Sequence, residues 1–150
     1  MSSSVTIREV QEAFADAILT SEERVVVSTY DDEGASFVFE GRRWQEIGRH
    51  ELAMVTACLW FLTPAAICAY LPAFLVASLE EPRSGIADAT ISFIIPPKNN
   101  NRRPSFMAWW SLLSRRQQSA VVAFLRVMPE SVPNEYAEAV SALDESCAAR

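Results

Sequence analysis

The residues of this chain that could do chemistry are few, and their spacing suits catalysis poorly. His50 is the only histidine, so a nucleophile–histidine–carboxylate relay or a histidine-ligated metal would have to be built around it alone. It stands between Arg49 and Glu51 at the start of an expected helix, where a solvated surface residue is the simpler reading. Cys58, Cys68 and Cys147 have no close paired spacing and no nearby histidine, so they read as reduced thiols, the first two packed as small hydrophobes. Carboxylates remain. Asp31, Asp32, Glu33 and Glu40 are the densest cluster, and Glu135, Glu138 and Glu145 share one face of an expected final helix with Asp144 beside it. General acid–base work needs a pocket that drives two such pKa values apart. The first set instead has turn chemistry, and the second reads as the solvated face of an amphipathic helix. No catalytic residue is assigned, and no metal or cofactor is expected. What an acidic surface does offer is steering toward a basic protein and covering it. Asp31, Asp32, Glu33, Glu40, Glu135, Glu138, Asp144 and Glu145 are therefore the expected partner-binding residues.

Composition bounds the alternatives. A chain of 150 residues, half of them hydrophobic and 21% charged, suits one domain, residues 1–150, with a sizeable core. The formal charge of -6 repels phosphate backbones, and Arg42-Arg43, Arg102-Arg103 and Arg115-Arg116 are isolated pairs, so no nucleic-acid partner is expected. Ala53 to Leu79 is a run of 27 residues without a charge, yet Pro64 and Pro72 cut it into pieces too short to span a bilayer. It reads as buried helices, not as a membrane anchor. The first ten residues have neither a basic leader nor an apolar stretch, which points to the cytoplasm.

The elements that must position these residues are mostly helical. Thr6-Ile7-Arg8-Glu9 is a capping-box pattern with Val5 and Val10 at the staple positions, and Ile7, Val10, Phe14, Ala17 and Ile18 form the inward stripe of a helix ending near Thr20. Between Arg24 and Glu40, Val25–Tyr30 and Phe37–Phe39 can pair as a short hairpin around Asp31–Gly34, or the second run can be a short helix leading into Trp44; the residues leave both open. From Arg49 a helix apolar almost all round carries Leu52, Val55, Leu59 and Leu62, with Met54, Cys58 and Phe61 on another side. Thr63-Pro64 opens the next helix, with Ile67, Leu71, Phe74, Leu75 and Ser78 on one face, a kink at Pro72, and an end at Glu80-Glu81-Pro82. Ser84 or Gly85 starts another that Pro96-Pro97 stops, and Lys98 to Pro104 is a solvated loop. Of Trp109 and Trp110, one is expected inward and its neighbour at the margin, since consecutive helical residues point about 100° apart. Ser114-Arg115-Arg116-Gln117 is a second capping box, opening a helix that buries Val121, Phe124, Leu125 and Met128 and stops at Pro129. The last helix begins near Pro133, with Tyr136, Val140, Leu143 and Cys147 inward.

The stretch Phe61-Leu62-Thr63-Pro64 through Tyr70-Leu71-Pro72-Ala73-Phe74-Leu75 resembles the DUF6714-type family of bacterial proteins, as do Gly41-Arg42-Arg43-Trp44, Ile95-Pro96-Pro97 and Gln118 to Leu125. Ala65 and Ile67 stand where the family pattern has an acidic and an aromatic residue. The resemblance covers Gly41 to Leu125. It implies a compact, mainly helical cytosolic fold and partners of an accessory or immunity type, and it transfers no activity.

The expected architecture is thus a mainly α, compact single-domain bundle of five to six helices, with residues 25–40 as hairpin or helix. The expected function is that of a small acidic cytoplasmic protein-binding protein, not an enzyme: an immunity-type inhibitor that neutralises a cognate, basic bacterial toxin. The alternative is a small enzyme or ligand-binding domain with a pocket among Trp44, Trp60, Tyr70 and Trp109.

Overall fold

The dipeptide Thr63-Pro64 sets the longest helix, and the rest of the fold wraps around it. In the computed structural model, which describes residues 3–27, 34–97 and 101–128, helix α4 spans Pro64–Glu80. Thr63 is extended, its hydroxyl accepts a hydrogen bond from the Ala66 amide at 3.1 Å, and Pro64 fills the first helical position, where no N–H is required. Buried residues fall on every side of α4, Pro72 included. A helix apolar all round has to be the centre. It packs against α1 (Ser3–Ala13), α5 (Gly85–Ile94), α6 (Arg103–Trp110) and α7 (Arg115–Val127), and α1 also lies against α7. With α2 (Ala35–Phe39) and α3 (Arg49–Ala53), the described residues form seven α-helices, and their buried apolar side chains make one continuous cluster. No helix among them is long and apolar enough to cross a membrane.

Local signals fix several ends as the sequence predicts. Ser84 caps α5 through the Ala87 amide at 3.2 Å. At α7 the capping box is complete: the Ser114 hydroxyl accepts from the Gln117 amide at 3.1 Å, and the Ser114 amide donates to the Gln117 side chain at 2.9 Å. Val121, Phe124, Leu125 and Met128 are all buried.

Elsewhere long-range contacts override local pattern. Thr6 is not a cap: α1 is already helical at Ser3, and Thr6 is fully buried within it. The helix stops at Ala13, well short of Thr20, and Ile18 is exposed. The carbonyls just beyond its end are taken by the next layer, since the Trp44 indole donates to the Phe14 carbonyl at 2.8 Å and the Gln45 side chain to that of Ala15 at 3.1 Å. The single helix expected from Arg49 to Leu62 is instead α3, a turn, and a 3-10 turn at Cys58–Trp60. Leu52, Val55, Cys58, Leu59 and Leu62 are buried as expected, but the segment ends as an extended piece. Thr63 precedes proline and is excluded from the helical region, and Val55-Thr56 is β-branched and weak in a helix. That piece pairs antiparallel with residues 25–27: Val27 N donates to the Phe61 carbonyl and Thr63 N to that of Val25, both at 2.9 Å. The hairpin of 25–40 is thereby corrected, because Val25–Val27 pairs with 61–63 while Phe37–Phe39 belongs to helix α2. The loop expected to run to Pro104 ends sooner, with Pro104 inside the first turn of α6. The final helix expected from Pro133 lies outside the described residues.

Candidate functional site

Glu40, exposed at the C-terminal cap of α2, is the one predicted partner-binding residue that the structure places. Asp31, Asp32, Glu33, Glu135, Glu138, Asp144 and Glu145 lie outside the described residues. The distribution of charge is nevertheless definite. The described residues hold 11 of the 19 carboxylates and 11 of the 13 basic side chains, so they are neutral as a set. Eight carboxylates against Lys98 and Arg150, the whole net charge of -6, fall in the remaining segments.

Three ionisable groups with shifted pKa values, Arg42, Glu51 and Tyr70, form a polar node beside α4. Gly41, at φ 74°, turns the chain after α2 in a left-handed conformation that a side chain disfavours. Arg42 then reaches the Val38 carbonyl at 3.0 Å and the Glu46 carbonyl at 2.7 Å, and grips both carboxylate oxygens of Glu51 on α3. The hydrogen bond from Arg42, helped by that from the Gly48 amide, holds the Glu51 carboxyl below the usual carboxylate range, and Glu51 in turn raises the guanidinium. The Tyr70 hydroxyl lies 2.7 Å from the Phe39 carbonyl and 2.8 Å from that of Arg42, and burial pushes it up. Arg42 ties α2, α3 and the 3-10 turn Trp44–Glu46 to one another, and Tyr70 ties the end of α2 and the Arg42 backbone to α4. The node is a structural joint.

A second place is open to solvent. The 3-10 turn at Cys58–Trp60, the start of α4, the end of α5 and the start of α6 enclose a cleft of about 680 Å³ lined by Trp60, Phe93, Phe106 and Trp109 among apolar neighbours. Its rings form a ladder: Trp60 edge-on to Phe93 at 5.1 Å, Phe93 stacked on Trp109 at 5.5 Å, and Phe106 edge-on to Trp109 at 5.0 Å. Trp109 is 2% exposed and Trp110 1%, so neither sits at the margin as expected; the exposed indole is Trp60, at 47%. Two donors, the half-buried Cys68 and the buried Gln118, close the end of α6 behind the ladder. The Cys68 thiol bonds the Trp109 carbonyl at 3.4 Å, and Gln118 donates to that of Trp110 at 3.0 Å. Burial, with a smaller contribution from Glu23, pushes the Cys68 thiol up to about 12, which keeps it protonated at neutral pH. At the mouth, the Arg102 guanidinium lies over Trp60, 4.5 Å from the ring centre.

The pocket expected among Trp44, Trp60, Tyr70 and Trp109 is thus divided. Trp60 and Trp109 line the aromatic cleft, Trp44 borders a separate hollow of about 420 Å³ beside Arg49 and Glu80, and Tyr70 belongs to the polar node. Phe93 and Arg102 are the cleft residues that sequence reasoning missed. An aromatic residue three positions ahead of Pro96-Pro97 was the available signal for the first. His50 is exposed, and among the described residues no three His, Cys, Asp or Glu side chains are grouped so as to hold a metal ion.

No curated protein and no solved structure matches the chain. A family model does match, over residues 3–146, and with it the helical expectation drawn from the Thr63-Pro64 and Leu71-Pro72 block is met. The chain belongs to DUF6714, a family of unknown function.

Proposed function

We propose that the protein is a cytoplasmic, bacterial, immunity-type binding protein that docks on a basic toxin and blocks it by occlusion, without catalysing a reaction itself. The observation that carries this reading is the segregation of charge. The described residues balance to neutral, and the chain also carries two acidic stretches, Asp31–Glu33 and the residues beyond Met128, whose excess of negative charge, offset only by Lys98, gives the net charge of -6. Such an arrangement steers a cationic partner toward particular surfaces instead of spreading a weak field over all of them. Apolar anchors flank the first stretch: Val27 before it and Phe37 after it are both exposed, Phe37 at 93%. A bare phenylalanine beside a charge run combines steering with burial, the two contributions a docking interface needs.

The test is co-expression with the product of the adjacent gene, followed by purification at about 0.05 M and about 0.5 M salt, where the screening length falls severalfold. Rescue of growth and a salt-sensitive complex are expected. Replacing Asp31, Asp32 and Glu33 with their amides should weaken the complex at least about tenfold, and Phe37→Ala should weaken it at both salt concentrations. A partner neutralised equally well by the amide variant, or no neutralisation of the neighbouring product, overturns the proposal.

A further inference from the structure

The aromatic cleft is not used by the docking reading, and its chemistry is of a different kind. Phe93, Phe106 and Trp109 are nearly buried and held against one another, so the inner wall is rigid before anything enters. At about 680 Å³ the space lies within the roughly 300–1,000 Å³ of small-molecule sites. A wall of ring edges and faces suits a flat apolar body, which can stack or meet them edge-on. The mouth adds one charge. Arg102 is exposed, has its guanidinium over the Trp60 ring, and pairs with no carboxylate among the described residues. A guanidinium held over an aromatic ring keeps the N–H fork that fits a carboxylate in bidentate fashion. Ser105 also lines the cleft. A neutral hydrocarbon would leave that fork unused, and a cation would be repelled by it.

We propose that this cleft binds small planar aromatic carboxylates, with the ring system against Trp60, Phe93 and Trp109 and the carboxylate on Arg102. The proposal does not depend on the toxin-docking reading, and its test uses no protein partner.

The test is calorimetric titration of the full-length protein with 2-naphthoate and with 2-naphthylmethanol, which has the same ring system and no charge. Saturable binding of one naphthoate per chain is expected, about tenfold tighter than the alcohol, as a charge-assisted bidentate contact requires. Arg102→Gln should abolish most of that preference while leaving alcohol binding in place. Trp60→Ala, at a half-exposed position outside the core, should weaken both ligands at least about fivefold through lost ring contact. Arg83→Gln, an exposed arginine just before α5, should change neither, and circular dichroism confirms that each variant is folded. Absence of saturable binding, equal affinity for acid and alcohol, or an Arg102→Gln variant that weakens both alike would overturn the proposal.

Discussion

Tyr70 carries one hydroxyl proton and faces two carbonyls, those of Phe39 and Arg42, at distances short enough for either bond. Its ring, stacked on Phe39 at 4.6 Å, is buried against α2. Removing only the oxygen keeps the packing and takes this donor from the Arg42 carbonyl, while that of Phe39 still accepts from the Arg42 amide at 3.0 Å, so Tyr70→Phe should cost about 1–3 kcal/mol in a denaturant titration. Arg42→Ala should lower the thermal midpoint more than Arg116→Ala does, because Arg42 joins three segments whereas Arg116 makes one exposed ion pair with Glu12. The two titrating groups of the node act at opposite ends of the pH scale. The Glu51 carboxyl is depressed, so its stabilisation is present above the ordinary carboxylate range and is lost as pH falls through the folded value. The Tyr70 hydroxyl is raised, so its share is present below the ordinary tyrosine range and is lost as pH rises through the folded value. A plot of thermal midpoint against pH should flatten on its acid limb in Glu51→Gln and on its alkaline limb in Tyr70→Phe. Unchanged limbs would show that the node does not govern them.

At the scale of elements, what was legible followed from where each decision is made. Helices α4, α5 and α7 open on Thr63, Ser84 and Ser114, whose side chains satisfy amides three residues ahead, so the signal and its effect lie within one turn. Residues 49–63 could not be read this way. Their apolar positions are buried as the pattern demands, but whether they continue as a helix is decided by Val25–Val27 lying alongside, more than thirty residues back along the chain. The aromatic cleft escaped notice for the same reason: Trp60, Phe93, Arg102 and Trp109 come from four places in the sequence, and no spacing links them. Thr63 is the point where the two scales meet, because its hydroxyl caps α4 and also donates to the Arg24 carbonyl at 2.7 Å. Thr63→Ala should therefore cost more than the roughly 1 kcal/mol of a cap alone. Thr63→Asn keeps a capping acceptor of another shape and should recover only the cap's part. Equal losses for Thr63→Ala and Ser114→Ala, whose hydroxyl accepts the capping bond from the Gln117 amide, in parallel denaturant titrations would remove the second role.

Charge is unevenly distributed along the whole sequence, and the unevenness separates the two proposed functions. The cleft presents Arg102 and favours an anion, while in sequence the acidic run Asp31–Glu33 begins four residues after Val27, which lines the same cleft. Four residues of chain reach at most about 14 Å, comparable with the screening length of about 8–10 Å at ordinary salt. A negative charge within that reach of the mouth favours a cationic partner and opposes a carboxylate. Converting Asp31, Asp32 and Glu33 to amides should consequently move the two activities in opposite directions at low salt: weaker capture of the basic partner, and tighter binding of 2-naphthoate with 2-naphthylmethanol unchanged. The shift for the acid should be modest, about two- to threefold, because charges acting through water are strongly attenuated, and it should vanish near 0.5 M salt. If the acid and the alcohol respond alike, the change acts through structure and not through charge. If capture and acid binding weaken together, cleft and acidic stretch form one site for one ligand.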